Sequence, residues 1–318
     1  MDLNLQFWKS EGKTFTQRFR HWIDILDPLL IFKSRKEIET SRTLLLTSGP
    51  DITKSLQNKK IKEAWKLSLA SVNPVSGDIV PSVFRLPAFL PIIAPLAAGI
   101  SLPHKGTKRL FYWQLFFHLY ANGFSVAHGS FKQDSEELPY KQMLFSAGAV
   151  LYSASLAAFP HYIMTRCQVQ SPSMQLFLKA MPGPLTATLC AFNVLVMRAS
   201  ELESGIEVMD SKGNIVGVSQ KAGEKAVIET ALCRAVMIGT AVCIPDIVLH
   251  YLKRTYVSLQ HPRLCGSLRS VMVVSILGLM VPITFSWIPQ LGTIQRSLIE
   301  PEIISSTEET EFFYNRGL

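Results

Sequence analysis

Charge is scarce in this 318-residue chain: 18% of residues are Asp, Glu, Lys or Arg against 48% hydrophobic, and the mean hydropathy is positive at +0.22. That balance excludes a disordered chain and leans away from an ordinary soluble enzyme. Cysteine is equally sparse. Cys167, Cys190, Cys233, Cys243 and Cys265 are scattered with no C-x-x-C pair, so neither a zinc site nor a disulfide framework is signalled. Enzymatic signatures are missing too: there is no G-x-x-x-x-G-K-[ST], H-E-x-x-H, G-x-S-x-G or G-x-G-x-x-G. His21, His104, His118, His128, His161, His250 and His261 never fall at metal-ligand spacing. An enzyme, a cofactor and a metal are therefore not expected. The formal net charge of +8 on so apolar a chain suits a membrane protein with Lys/Arg-rich loops better than a nucleic-acid binder, and no nucleic-acid partner is expected.

What the chain does have is long uncharged runs. They extend over Leu86–Pro103, Leu110–Phe131, Gln142–Thr165, Ala180–Met197 and Ser270–Gln295. A bilayer core of about 30 Å needs about 20 apolar residues in a helix, so each is near spanning length. A sixth run, Thr230–Leu252, reaches that length only by tolerating Arg234 and Asp246. The alternative, buried helices of a large soluble core, fits poorly with so many runs. Gln114, His118, Asn122 and His128 lie roughly on one face of the second run, which suits a helix between other helices or along the interface. The spacing of Pro87, Pro91 and Pro95 predicts a bent first span.

The first eighty residues carry thirteen Lys/Arg against nine Asp/Glu and no long apolar run. Phe15, Phe19, Trp22 and Leu26 recur at helical spacing up to the break at Asp27-Pro28, and Ile61, Trp65 and Leu69 repeat the pattern up to Asn73-Pro74. Two amphipathic helices are predicted, packing either on the membrane surface, with lipid as partner, or on the protein's own bundle. Asp2 and Glu11 interrupt the start, so no cleavable secretory signal is expected.

Between Met197 and Glu229 the chain turns polar. Ile206/Val208 and Ile215 flank the turn signal Asp210-Ser211-Lys212-Gly213-Asn214, which predicts a small β-hairpin within residues 203–220. The expectation is an all-α multi-pass membrane protein: a polar, partly amphipathic segment over residues 1–82, about five transmembrane helices over 83–295 with the hairpin in one loop, and a C-terminal tail over 296–318.

The run Asn193-Val194-Leu195-Val196-Met197-Arg198-Ala199-Ser200-Glu201-Leu202, followed by Gly205-Ile206 and the hairpin, resembles the central signature of the sideroflexins. Asp27-Pro28, Trp113-Gln114, Pro282, Pro289-Gln290 and the ending Tyr314-Asn315-Arg316-Gly317-Leu318 agree in order, so the similarity covers the whole length. The resemblance implies a multi-pass protein of the mitochondrial inner membrane, about five transmembrane helices, no cofactor, and movement of serine or a related small neutral amino acid.

The chain also departs from that pattern. Where typical members have His-Pro-Asp-Thr, it has Asn73-Pro74-Val75-Ser76, and Phe117, Ala121 and Ser125 stand where asparagines are expected. Such losses are similar to the divergent fourth vertebrate branch of the family, and imply support of respiratory complex I assembly and mitochondrial iron handling, with complex I assembly proteins as partners. Two classes follow. A carrier with serine disfavoured needs polar groups at membrane depth, and the candidates are Gln114, Asn122, Asn193, Arg198, Glu201 and Asp246. An assembly factor needs surface, which the N-terminal segment and the acidic tail from Glu300 to Glu311 would supply. Arg198 and Glu201, three apart at a helix end, can equally be a simple pair.

Overall fold

A computed structural model describes residues 2–47, 56, 58–129, 137–167, 169–252 and 262–317. The polar N-terminal segment forms α1 (Leu3–Glu11), α2 (Phe15–Ile25), α3 (Arg35–Thr47) and α4 (Lys59–Ser71). Their starts follow from local chemistry. Asp2 accepts from the backbone of Asn4, Asn58 accepts from Lys60, and Thr14 with Gln17 forms a reciprocal capping box, so otherwise unpaired N–H groups are satisfied.

Both predicted amphipathic helices are present, and they pack on the protein itself. Trp8 stacks on Trp22 at 5.3 Å, Trp22 meets Phe285 at 5.0 Å, and Phe7 meets Trp65 at 5.2 Å. The face that α2 buries is rotated from the expected stripe: Arg18, Trp22 and Ile25 are buried while Phe15 is 47% exposed. Arg18 goes inside because its guanidinium donates to the carbonyls of Gly12 (2.9 Å), Ser286 (2.8 Å) and Trp287 (3.3 Å). Two of those carbonyls end the last long helix and have no intrahelical partner, so a cation there completes the helix.

Six helical elements then alternate in direction. They are α5 (Leu86–Ser101), α6 (Thr107–Ala127), α7 (Glu137–Arg166), α8 (Pro172–Ala180) running into α9 (Pro182–Met197), and, beyond the hairpin, α11 (Gln220–Leu252) and α12 (Pro262–Trp287); the short α10 (Ala199–Ser204) follows α9. Among the described residues, four segments are long and apolar enough to cross a membrane: Met143–Arg166, Pro172–Met197, Gln220–Leu252 and Cys265–Trp287. Leu86–Ser101 is apolar too but shorter; its sixteen residues rise about 24 Å, less than a bilayer core of about 30 Å. It stays helical through Pro91 and Pro95. The run over Thr107–Ala127 is helical, and its polar residues put it outside the four.

Side-chain contacts close these helices into a ring. Gly99 of α5 lies against the Trp113 ring of α6, Thr107 of α6 bonds His161 of α7 (3.2 Å), Ser153 of α7 bonds Asn193 of α9 (3.3 Å), Gly183 of α9 faces Cys243 of α11, Asp246 of α11 pairs with Arg269 of α12 (2.6 Å), and Phe285 of α12 meets Phe89 of α5 (5.9 Å). Neighbours are antiparallel throughout, which short connections between packed helices favour.

The hairpin forms within the expected residues 203–220 and is part of a larger sheet. Strands β1 (Ile206–Met209) and β2 (Ile215–Ser219) pair antiparallel around Asp210, whose carboxylate accepts from the backbone of Lys212 (2.9 Å) and Asn214 (2.8 Å), with Gly213 at φ +90°. Two C-terminal strands join them: β3 (Leu291–Gln295) and β4 (Glu311–Asn315), with α13 (Pro301–Ser306) between them, give the order β2-β1-β4-β3. Phe312 and Tyr314 are fully buried, so this end of the chain is the inner strand of a sheet rather than a free acidic tail.

Candidate functional site

The ring has a polar interior. His118, Asn122 and Ser125 of α6 project on one helical face at four- and three-residue spacing, and all are buried. Asn193 of α9 reaches them: its amide is 2.9 Å from His118 Nδ1, and its Oδ1 accepts from Ser153 of α7. Cys190, one turn before Asn193, and Arg234 of α11 complete the wall with Phe89, Ile93 and Phe117. The free volume is about 20 Å³, room for about one water molecule. Several polar atoms here lack a protein partner among the described residues: His118 Nε2, Asn122 Nδ2, Gln114 Oε1 and Arg234 Nη2.

Arg234 is the dominant charge. It is 6% exposed, and no carboxylate pairs with it among the described residues. Instead its guanidinium lies over three phenyl rings, Phe89 at 4.9 Å, Phe124 at 5.0 Å and Phe285 at 5.6 Å. The ring quadrupoles attract the cation, with about 2 kcal/mol for a desolvated contact. Those contacts hold the guanidinium in place without neutralising it.

The sequence candidates separate into three places. Asn122 and Asn193 line the interior, and Gln114 is buried one turn before His118 on the same face of α6. Arg198 and Glu201 sit instead where α9 meets the sheet, as a bidentate pair at 2.6 and 3.0 Å with both side chains buried. The same guanidinium donates to Thr230 Oγ1 of α11 (2.9 Å) and to the Arg316 carbonyl (2.7 Å), tying two helices and the last residues together. Glycines keep this junction close. Gly205 takes φ +78° and a Cβ there would meet the Ser219 carbonyl at 2.8 Å, while a Cβ on Gly223 would collide with the Glu201 carbonyl. Asp246 lies at the opposite end of α11, bound to Arg269.

Asn73-Pro74-Val75-Ser76 is a tight turn after α4. The Asn73 Oδ1 accepts from Val75 N (2.8 Å), and its amide donates to the carbonyls of Ala127 (3.2 Å) and Gly129 (3.1 Å) at the end of α6. Its side chain thus closes one helix end onto the N-terminal segment.

Arg234, Cys190, Ser153 and Thr230 were absent from the sequence candidates. Arg234 had a legible signal, a lone arginine inside an apolar run. The others had none, since a Ser, Thr or Cys in a membrane helix is unremarkable until a neighbour is known.

The sequence model of one family, described as Sideroflexins, matches residues 2–318. The chain is 40% identical to Sideroflexin-4 of Bos taurus over 318 residues, covering 100% of both. It is 37% identical to Sideroflexin-4 of Homo sapiens (99% of this chain, 92% of the relative) and 30% identical to human Sideroflexin-5 (98% and 91%). No solved structure matches.

Proposed function

The chain belongs to the sideroflexin family, a family of carriers, and on that footing we propose that it is a mitochondrial inner-membrane carrier of a small neutral amino acid, with serine disfavoured. The observation that carries this reading is Arg234, a buried cation at the centre of the ring without a carboxylate partner among the described residues, beside the amides of Asn122 and Asn193. An amino-acid zwitterion brings the missing carboxylate, to which the Asn122 amide N–H can also donate, and Gln114 Oε1, without a partner among the described residues, can accept from its ammonium. Since the interior has room for about one water, this is a closed arrangement, and carriage needs the ring to open to one side at a time. Serine is disfavoured because Phe117 and Ala121 bring no hydrogen-bonding side chain where amides are expected.

A second reading is that the chain carries nothing and supports respiratory complex I assembly and iron–sulfur homeostasis, with complex I assembly proteins as partners. The tight interior favours it: Phe117, 1% exposed, fills space on the wall, and three rings already hold Arg234.

Reconstitution in liposomes with a panel of labelled small amino acids, beside a serine-carrying sideroflexin, separates the two. The expected result is uptake of at least one small neutral substrate by this chain, retained in part by Arg234→Lys and lost about tenfold or more in Arg234→Gln, as loss of a buried charge-assisted contact implies. No uptake of any of them, together with normal complex I assembly in cells carrying Arg234→Gln, leaves the second reading standing.

A further inference from the structure

On the face of the ring away from the sheet, the α5–α6 turn and the end of α7 enclose an open groove of about 930 Å³. Its floor is fixed: Thr107 Oγ1 bonds His161 Nδ1 (3.2 Å), and His161 Nε2 lies 3.3 Å from the His104 carbonyl. Four cations surround that floor, Lys105, Lys108 and Arg109 from one side and Arg166 from the other, all exposed and none paired with a carboxylate among the described residues. The first turn of α6 points its N–H groups the same way, with no side-chain cap over them. Acids are nearly absent from this end of the ring. The one described carboxylate there, Asp246, is bound to Arg269.

The walls of the groove are aromatic. Tyr112, Phe159 and Tyr162 are 57%, 52% and 47% exposed, and below them the outward faces of α6 and α7 continue with Phe116, Leu119 and Leu151, each more than half exposed. Arg166 is also the last residue of a segment apolar enough to span a bilayer. The groove therefore sits where headgroups meet hydrocarbon, the level at which Tyr and basic side chains gather. A soluble anion would use the cations and leave the apolar strip below uncovered. A lipid uses both.

We propose that this groove is a binding site for an anionic phospholipid, with a headgroup of two phosphates between Lys105, Lys108, Arg109 and Arg166 and acyl chains laid along the outward faces of α6 and α7. Two phosphates answer the four unpaired charges better than one, and basic pockets between membrane helices take such headgroups. The site is independent of what the ring carries.

The test uses the full chain, purified in mild detergent and tested for lipid retention and thermal stabilisation with phosphatidylcholine, phosphatidylserine, diphosphatidylglycerol or inorganic pyrophosphate. Diphosphatidylglycerol should be retained and raise the melting temperature most, because a ligand that binds only the folded state stabilises it. Neutralising charges should weaken retention about five-fold each, so Lys108→Gln with Arg109→Gln and Arg166→Gln loses about a hundredfold, while Lys179→Gln, outside the groove, changes nothing. If the triple variant does not fold, Arg166→Gln alone should still show its five-fold loss. Equal retention of all lipids, full stabilisation by pyrophosphate, or displacement of the lipid by polyglutamate would overturn the proposal, the last in favour of an acidic protein partner. Unchanged retention in the Arg166→Gln variant overturns it too.

Discussion

Removing one member of the Arg198–Glu201 pair leaves the other buried and uncompensated, with the acceptors Thr230 and Arg316 O also affected. Breaking such a pair from one side costs about 3–5 kcal/mol. Arg198→Gln and Glu201→Gln should therefore both lower the melting temperature in detergent and the steady-state level in cells. The double change Arg198→Met with Glu201→Leu should cost less than the sum of the two, since it strands no charge. At Asn73 the loss is smaller. Its amide makes two bonds to helix-end carbonyls, so Asn73→Ala should cost about 2 kcal/mol at about 1 kcal/mol per bond, read by the same melting assay. Restoring the family's residues by Asn73→His with Val75→Asp should not confer serine uptake in liposomes. The turn lies at the end of α6 beyond Asn122 and Ser125, and Phe117 and Ala121 are unchanged by the swap.

Among the elements, β4 has the largest structural role for its length. It is the strand to which both β1 and β3 pair, it buries Phe312 and Tyr314, and the residues just after it accept from Arg198. Ending the chain at Thr310 should separate the hairpin from β3, expose both strand edges and leave Arg198 without one acceptor. A marked fall in protein level and a loss of monodispersity on size-exclusion chromatography is the expected outcome; a truncated chain as stable as the full one would show that the hairpin and ring stand without it. The α2 helix has the corresponding task at the end of α12, where Arg18 covers the last carbonyls.

For the whole molecule, six alternating helical elements return the chain to the side from which it set out. The N-terminal helices and the sheet accordingly meet: Lys9 bonds the Ser211 carbonyl and lies 5.1 Å over the Phe313 ring. The N-terminal helices and the sheet therefore lie at one end of the ring, and the basic groove and the exposed Cys167 lie at the other. Membrane-impermeant maleimide should label Cys167 from the side opposite to that on which protease removes N- and C-terminal tags. Labelling and cleavage from the same side would contradict the closed ring.

Sequence alone determined what depends on local pattern. Uncharged runs of spanning length, helical stripes ending at Asp27-Pro28 and Asn73-Pro74, and the Asp210–Asn214 turn each carry their signal within a few residues, because helix period, burial and turn geometry are short-range physics. Sequence also held the Arg198–Glu201 pair, since a spacing of three on a helix brings the two together. What tertiary structure alone decided are the meetings of distant residues. Nothing near Glu311 announces that it begins an inner strand, as pairing partners 100 residues away leave no local trace. Arg18 reads as part of a solvated face until the carbonyls of Ser286 and Trp287 arrive. Arg234 was legible as an oddity, yet only the closing of α5, α6, α9, α11 and α12 around it makes that oddity an interior charge with three aromatic neighbours and no carboxylate among the described residues.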